Sequence, residues 1–227
     1  MTRIWTPDSN ALAPYRQAQQ QAYKAVHTIA DALQPGMNEH DTALLLRDWL
    51  RGHQLHDAAR APRVRFFGES AARSPFGLKR QGKRRYRPGM IYQLQCDSVL
   101  NGHAARALLT GSTLDCALQT RLDDERQALL QALNDGQQLP SFIADRQDGV
   151  QRNLRQRLVP VTGTLPDGLP VSGSPLLPGL WQIQLVLRQG HLRAGFSELL
   201  VVDSDGARWL DPQLTHAVPV WSNGQAA

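Results

Sequence analysis

The chain has only two cysteines, Cys96 and Cys116, among its 227 residues. Two thiols can build neither a disulfide framework nor a four-cysteine zinc site, so both are read as reduced. It also lacks any run near the roughly 18 consecutive apolar residues that a membrane-spanning helix requires, and reads as soluble. The opening MTRIWTPDSNALAPY has one arginine and no apolar segment ahead of a small-residue cleavage site. That argues against a secretory signal and for the cytoplasm. No internal repeat or low-complexity tract is evident by eye. A chain of this size can bury a substantial core, and residues 1–227 are read as one domain with 1–13 a flexible N-terminal segment.

Aromatic residues are scarce too, and this bears on the charge. The net charge of +5 invites a nucleic-acid reading, because Lys79, Arg80, Lys83, Arg84, Arg85 and Arg87 crowd together. That run contains a single aromatic, Tyr86, between a Ser74-to-Gly77 turn and the Pro88-Gly89 turn. It therefore reads as a solvated connection rather than a nucleic-acid surface, with an acidic partner or ligand as a lesser reading.

What is present is regular periodicity. Ala18, Ala22, Val26, Ile29 and Leu33 recur at three- and four-residue spacing, which predicts an amphipathic helix from Pro14 to Leu33. Pro35-Gly36 stops it, and Asn38 is placed to cap a second helix through Leu50, with Glu39 and Asp41 in its first turn. Residues 61–87 read as an irregular excursion with a short strand at Val64 to Phe67. Ile91, Leu94, Cys96 and Val99, then Asn101-Gly102, then Ala104 to Thr110 predict a β-hairpin. Helical spacing returns from Leu114 to Leu133, with a short helix at Ser141 to Arg146. Residues 160–180 are rich in Pro and Gly and read as a long loop, a frequent site of function. Trp181 to Leu187, Glu198 to Val202 and Ala207 to Leu210 read as strands, the last two joined by a turn at 204–206. This order gives an α+β fold with an antiparallel sheet covered on one face.

Three strings in this order, AVHTIADALQPGMNEHDTALLLRDWL (25–50), PGMIYQLQCDSVLNGHAARALLTG (88–111) and PGLWQIQLVLRQGHLRAGFSELLVVDSDGARWL (178–210), resemble the pita-bread fold of the methionine aminopeptidase, Xaa-Pro aminopeptidase and creatinase (M24) family. The resemblance implies that fold over most of the chain, without the extra N-terminal domain of the longer members. It also implies a pair of divalent metals held by two Asp, one His and two Glu. By position, the first Asp falls on Gln95 and the second on Arg106, seven residues before and four after Gly102. There is no histidine from 104 to 190 to supply the His ligand. The glutamates fall on Gln184, within one residue, and on Ser197, with Glu198 adjacent. A guanidinium about 4 Å from a dication, at an effective dielectric of roughly 20, is repelled by about 8 kcal/mol. No metal ligands and no cofactor are therefore expected, and aminopeptidase chemistry, which rests on metal-activated water, is expected to be absent.

Amides, a hydroxyl and a cation stand at these positions rather than apolar groups. Gln95 and Asp97 share a strand face, with Arg106 across the hairpin. Gln95, Arg106, Gln184 and Ser197 are read as substrate-binding residues for a small ligand bearing a carboxylate or amide, or for a protein partner. Against this stands a plain structural reading, in which Arg106 neutralises Asp97. The alternative function is a metal-free enzyme acting on a C–N bond of a small amino-acid-like or guanidino compound, with Asp97, His103 and Glu198 sharing the catalytic work. His103 reads more simply as a packing or rim residue, Cys96 as a core thiol, and Trp181 and Trp209 as core aromatics. No membrane partner is implied, and homodimerisation is left open.

Overall fold

The computed structural model describes residues 9–55, 60–68, 84–112, 117–137, 148–160, 176–190 and 192–216. Its elements run α1 (Ser9–Asp31), α2 (Glu39–Gly52), β1 (Arg63–Phe67), β2 (Ile91–Leu100), β3 (His103–Ser112), α3 (Ala117–Thr120), α4 (Leu122–Asn134), β4 (Gln151–Val159), β5 (Gly179–Gln189), β6 (Leu192–Asp203) and β7 (Gly206–Trp209). The α+β order with antiparallel strands is as predicted. The strands form two sheets, β1-β2-β3 and β4-β5-β6-β7, in place of one.

Helix α1 starts at Ser9, so residues 9–13 are helical and not a loose segment. Pro14 sits inside the helix and forfeits one backbone bond, but Leu12 and Tyr15 on either side of it are buried against β5 and β6. Small residues on the inner face of α1 let it lie close to the β2–β3 hairpin: Cys96 Sγ donates to the Ala22 carbonyl at 3.6 Å and Ser98 Oγ to that of Ala18 at 3.3 Å. Cys96 is thus a core thiol; Cys116 lies outside the described residues. Asn38 caps α2 as read, its Oδ1 accepting from Asp41 N at 2.8 Å. Glu39 does more than meet the helix dipole, because its buried Oε1 accepts from Phe66 N at 2.9 Å and ties α2 to β1. The hairpin turns at Asn101 and Gly102 with φ of 51° and 82°, the two positive values that an Asn-Gly turn supplies.

The basic connection differs in part from the reading. Residues 79–83 lie outside the described set, but Tyr86 is buried and the backbone of 84–86 pairs with the turn at 36–39. Strand β4 was not anticipated. Its sequence QRNLRQRLV hides the signal, since an edge strand needs few apolar side chains. Arg152 is buried there by bidentate bonds to Glu125 at 2.7 and 3.0 Å and to Asp148 at 2.8 and 2.9 Å. Those bonds hold the Asp148 carboxyl well below the ordinary carboxylate range. The anticipated helix at 141–146 and most of the 160–180 loop, residues 161–175, lie outside the described residues.

Between the two sheets, β3 and β6 meet edge to edge and side chains take the place of a backbone ladder. Thr110 Oγ1 accepts from Gly195 N at 3.1 Å, Tyr23 Oη donates to Ser197 O at 3.0 Å, and Gln19 Oε1 accepts from Leu199 N at 2.6 Å. Gln182 does the same for β3, its Oε1 accepting from Arg106 N at 3.1 Å. Glycine at 195 is needed within the second sheet, where a Cβ would stand 2.7 Å from the Leu185 carbonyl oxygen of β5, and on the β3 side it would press on Leu108 Cδ2 at 3.2 Å. Burial pushes the Tyr23 hydroxyl well above its usual titration range, so it stays protonated as a donor.

Candidate functional site

The register fixes which side chains share a face. Asp97 pairs directly with Arg106 across the hairpin, and Gln95 with Leu108. Gln184 pairs with Ser197 across β5 and β6, and Ile183 with Glu198. By strand alternation Gln95, Asp97 and Arg106 stand on one face of the first sheet, and Gln182, Gln184 and Ser197 on one face of the second. Gln182 joins the two: its Oε1 accepts from the Arg106 backbone and its Nε2 donates to Ser197 Oγ at 3.1 Å. The amide that reaches Ser197 is therefore Gln182, two residues before Gln184 on the same face.

The Arg106 guanidinium closes on Asp97 as a planar fork. Nε donates to Oδ1 at 2.5 Å and Nη2 to Oδ2 at 2.7 Å, with the side chains 17% and 11% exposed. The Asp97 bond raises the Arg106 pKa further, above an already high value. Nη1 has no hydrogen-bond partner among the described residues.

The three candidate catalytic residues do not share a surface. His103 alternates to the α1 side of β3, where its ring meets Tyr15 edge-on with centroids 4.6 Å apart. Glu198 alternates away from Ser197 toward α4, so no one-residue slip brings it to the open face. There it is fully buried and receives Arg126 Nε at 2.7 Å and Nη2 at 2.9 Å, with His216 Nε2 against the same carboxylate. Arg126 also donates to the Asp211 carbonyl at 2.9 Å and lies over the Trp209 ring. This cluster was missed in the sequence. Its signal was the charged pair Glu125 and Arg126 in phase with Leu122 and Leu129 on α4, while nothing in spacing pointed to His216. Trp181 and Trp209 are core aromatics, as read.

The sequence matches no protein-family model and no curated protein. Solved structures do match. An X-Pro aminopeptidase from Thermotoga maritima superposes with a TM-score of 0.68 at 15% identity over 92% of this chain and 63% of its own. A dipeptidase from Pyrococcus horikoshii gives 0.65 at 21% identity, over 92% and 62%. A methionine aminopeptidase from Rickettsia prowazekii gives 0.63 at 13% identity, over 91% and 99%. This chain has the pita-bread fold. It spans less than two thirds of the first two enzymes, and at these identities the likeness is one of fold.

The pair of metals implied by that fold can be tested against the residues here. On the open face Asp97 is the carboxylate nearest the ligand positions, and both its oxygens are taken by Arg106. The remaining positions offer an amide, a guanidinium, an amide and a hydroxyl. Among the described residues no group of three or more His, Cys, Asp or Glu could hold a metal ion. Counted by the resemblance, these described side chains do not fit a dinuclear site. No helix among the described residues is long and apolar enough to cross a membrane.

Proposed function

We propose that this chain is a pita-bread protein without the dinuclear site, a non-peptidase that uses the former catalytic face to bind a ligand bearing a carboxylate or an amide, or a protein segment offering the same groups. One observation supports the reading: Arg106, which by the count from Gly102 falls where the resemblance expects a metal-ligating aspartate, closes a two-bond fork on Asp97. That pair is neutral overall, but it fixes in place a guanidinium with Nη1 still able to donate. Nη1 of Arg106 and the partly exposed amides of Gln95 and Gln184 remain to meet the ligand, with Gln182 and Ser197 positioning the floor. The alternative, C–N chemistry by Asp97, His103 and Glu198, is not favoured, since these residues occupy separate faces.

The test is elemental analysis of protein purified with Zn²⁺, Mn²⁺ or Co²⁺ supplied, alongside assays on Met-initiated and Xaa-Pro peptides. The expected result is less than a tenth of an equivalent of metal and no chelator-sensitive turnover. One equivalent of metal that Arg106→Ala or Gln95→Ala displaces would overturn the proposal.

A further inference from the structure

The same register that assigns the central residues also fixes what flanks them. On β1, Arg63 pairs with Gln95 and Arg65 with Gln93. On β4, Arg155 pairs with Gln184 and Arg157 with Gln182. Strands β1 and β4 are the edges of their sheets that lie away from the seam where β3 and β6 meet. This face thus runs from two arginines, through the half-buried Gln93 and Gln95, across Arg106 and the buried Ser197, through the buried Gln182 and half-buried Gln184, to two arginines.

These four flanking arginines carry unspent charge. Arg63, Arg155 and Arg157 are exposed and Arg65 is half-buried, and none forms an ion pair among the described residues. The acids on the described strand positions of this face, Asp97 and Asp203, are already matched by Arg106 and Arg208. Like charge is crowded at its margin as well: Arg193, opposite Arg188 in the ladder, has its pKa lowered by burial and by the Arg188 charge.

Resting on the binding reading above, we infer that this face holds an extended acidic peptide segment, its carboxylates on Arg63, Arg65, Arg155 and Arg157 and its backbone amides on the half-buried Gln93, Gln95 and Gln184. Dimensions agree. Six strands about 4.8 Å apart make a face roughly 25 Å across, the length of about seven extended residues. A small anion would engage one flank and leave the other uncompensated. A single-stranded nucleic acid would need aromatic surfaces for its bases, and the aromatic on the described strand positions of this face, Phe67, lies under the Arg193 guanidinium with its ring centroid 4.7 Å away.

The experiment is fluorescence anisotropy with a fluorescein-labelled peptide of about eight glutamates. A glutamine peptide of equal length and an oligothymidylate of equal charge serve as comparison probes. An exposed arginine–carboxylate contact is worth up to about a fivefold change in affinity. Arg63→Gln with Arg65→Gln, and separately Arg155→Gln with Arg157→Gln, should therefore each weaken glutamate-peptide binding about tenfold. Arg47→Gln with Arg51→Gln, on α2, should leave it unchanged, and the affinity should fall as salt rises. The inference is overturned if the glutamate peptide does not bind, if the α2 variant weakens it as much, or if oligothymidylate binds as tightly and is lost with the same variants. Metal content measured on the same preparation separates the two readings. Stoichiometric metal sinks the proposed function, whereas metal-free protein that ignores the peptide sinks this inference alone.

Discussion

Replacing Arg106 by methionine keeps most of the side-chain volume and removes one half of the Asp97 pair. At an effective dielectric of roughly 20, opposite charges about 4 Å apart attract by about 4 kcal/mol, part of which is cancelled by desolvation. Exposed pairs net about 0–1 kcal/mol, and breaking fully buried ones costs about 3–5 kcal/mol. With side chains 17% and 11% exposed and two short bonds, the loss belongs between these limits, at about 2–3 kcal/mol. For a protein of this size that lowers the melting temperature by about 5–10 °C. Asp97→Asn keeps one acceptor and should cost about 1–2 kcal/mol. The double variant should fall short of the sum by about 1–2 kcal/mol, since each single change strands the other group. Urea unfolding of all four proteins, with calorimetry for the melting temperature, measures the cycle. If Arg106→Met lies within about 0.5 kcal/mol of wild type, or the two changes simply add, the pair is not the coupled unit described here.

The buried Glu198 cluster should respond more strongly: Arg126→Met is expected to cost about 3–5 kcal/mol in the same urea assay, and adding Glu198→Gln should recover part of that loss by removing the stranded carboxylate. Burial lowers the pKa of His27, an effect larger than the opposing pull of Asp31 and reinforced by the charge of His216. The unfolded chain therefore binds the proton more readily, so this residue costs nothing well above pH 6.5 and destabilises the fold as the pH falls through that value. A pH series of melting temperatures should show a smaller acid loss for His27→Gln than for wild type, and an equal loss in both would refute the assignment.

The elements that the sequence revealed are those whose apolar pattern matched their geometry. The first two helices, the Asn101-Gly102 hairpin and the last three strands are such cases. Elsewhere the deciding interactions were not periodic. The early start of α1 depends on what Leu12 and Tyr15 meet in space, and β4 depends on Arg152 finding Glu125 and Asp148. At the site, counting from Gly102 placed Gln95 and Arg106 on one face, and alternation added Asp97. The two-residue Asn101-Gly102 turn already sets Asp97 opposite Arg106, but whether the guanidinium turns to that carboxylate or to a ligand is a choice of side-chain rotamer that the register leaves open. Gln182 escaped notice for a related reason. A glutamine two residues along the same strand face reaches as far as the one counted, and the diagonal contact to Ser197 is decided by the twist of the sheets.

Arginines on β1 and β4 also suit the ordinary need of edge strands for charge that discourages pairing with other chains. That need is indifferent to which face of the sheet carries the charge. On β4 the arginine of the opposite face, Arg152, is consumed by Glu125 and Asp148, while Arg155 and Arg157 are left unmatched beside Gln184 and Gln182. On β1 the opposite-face residues Val64 and Phe66 are core, and Arg63 and Arg65 stand unmatched beside Gln95 and Gln93. The two halves thus present the same chemical row, arginine at the edge and glutamine inboard, although no repeat is visible in the letters. Packing imposes no such choice on the exposed Arg63, Arg155 and Arg157. Edge protection alone would be met by charge of either sign and by ion pairs, so the matched rows point to a shared ligand.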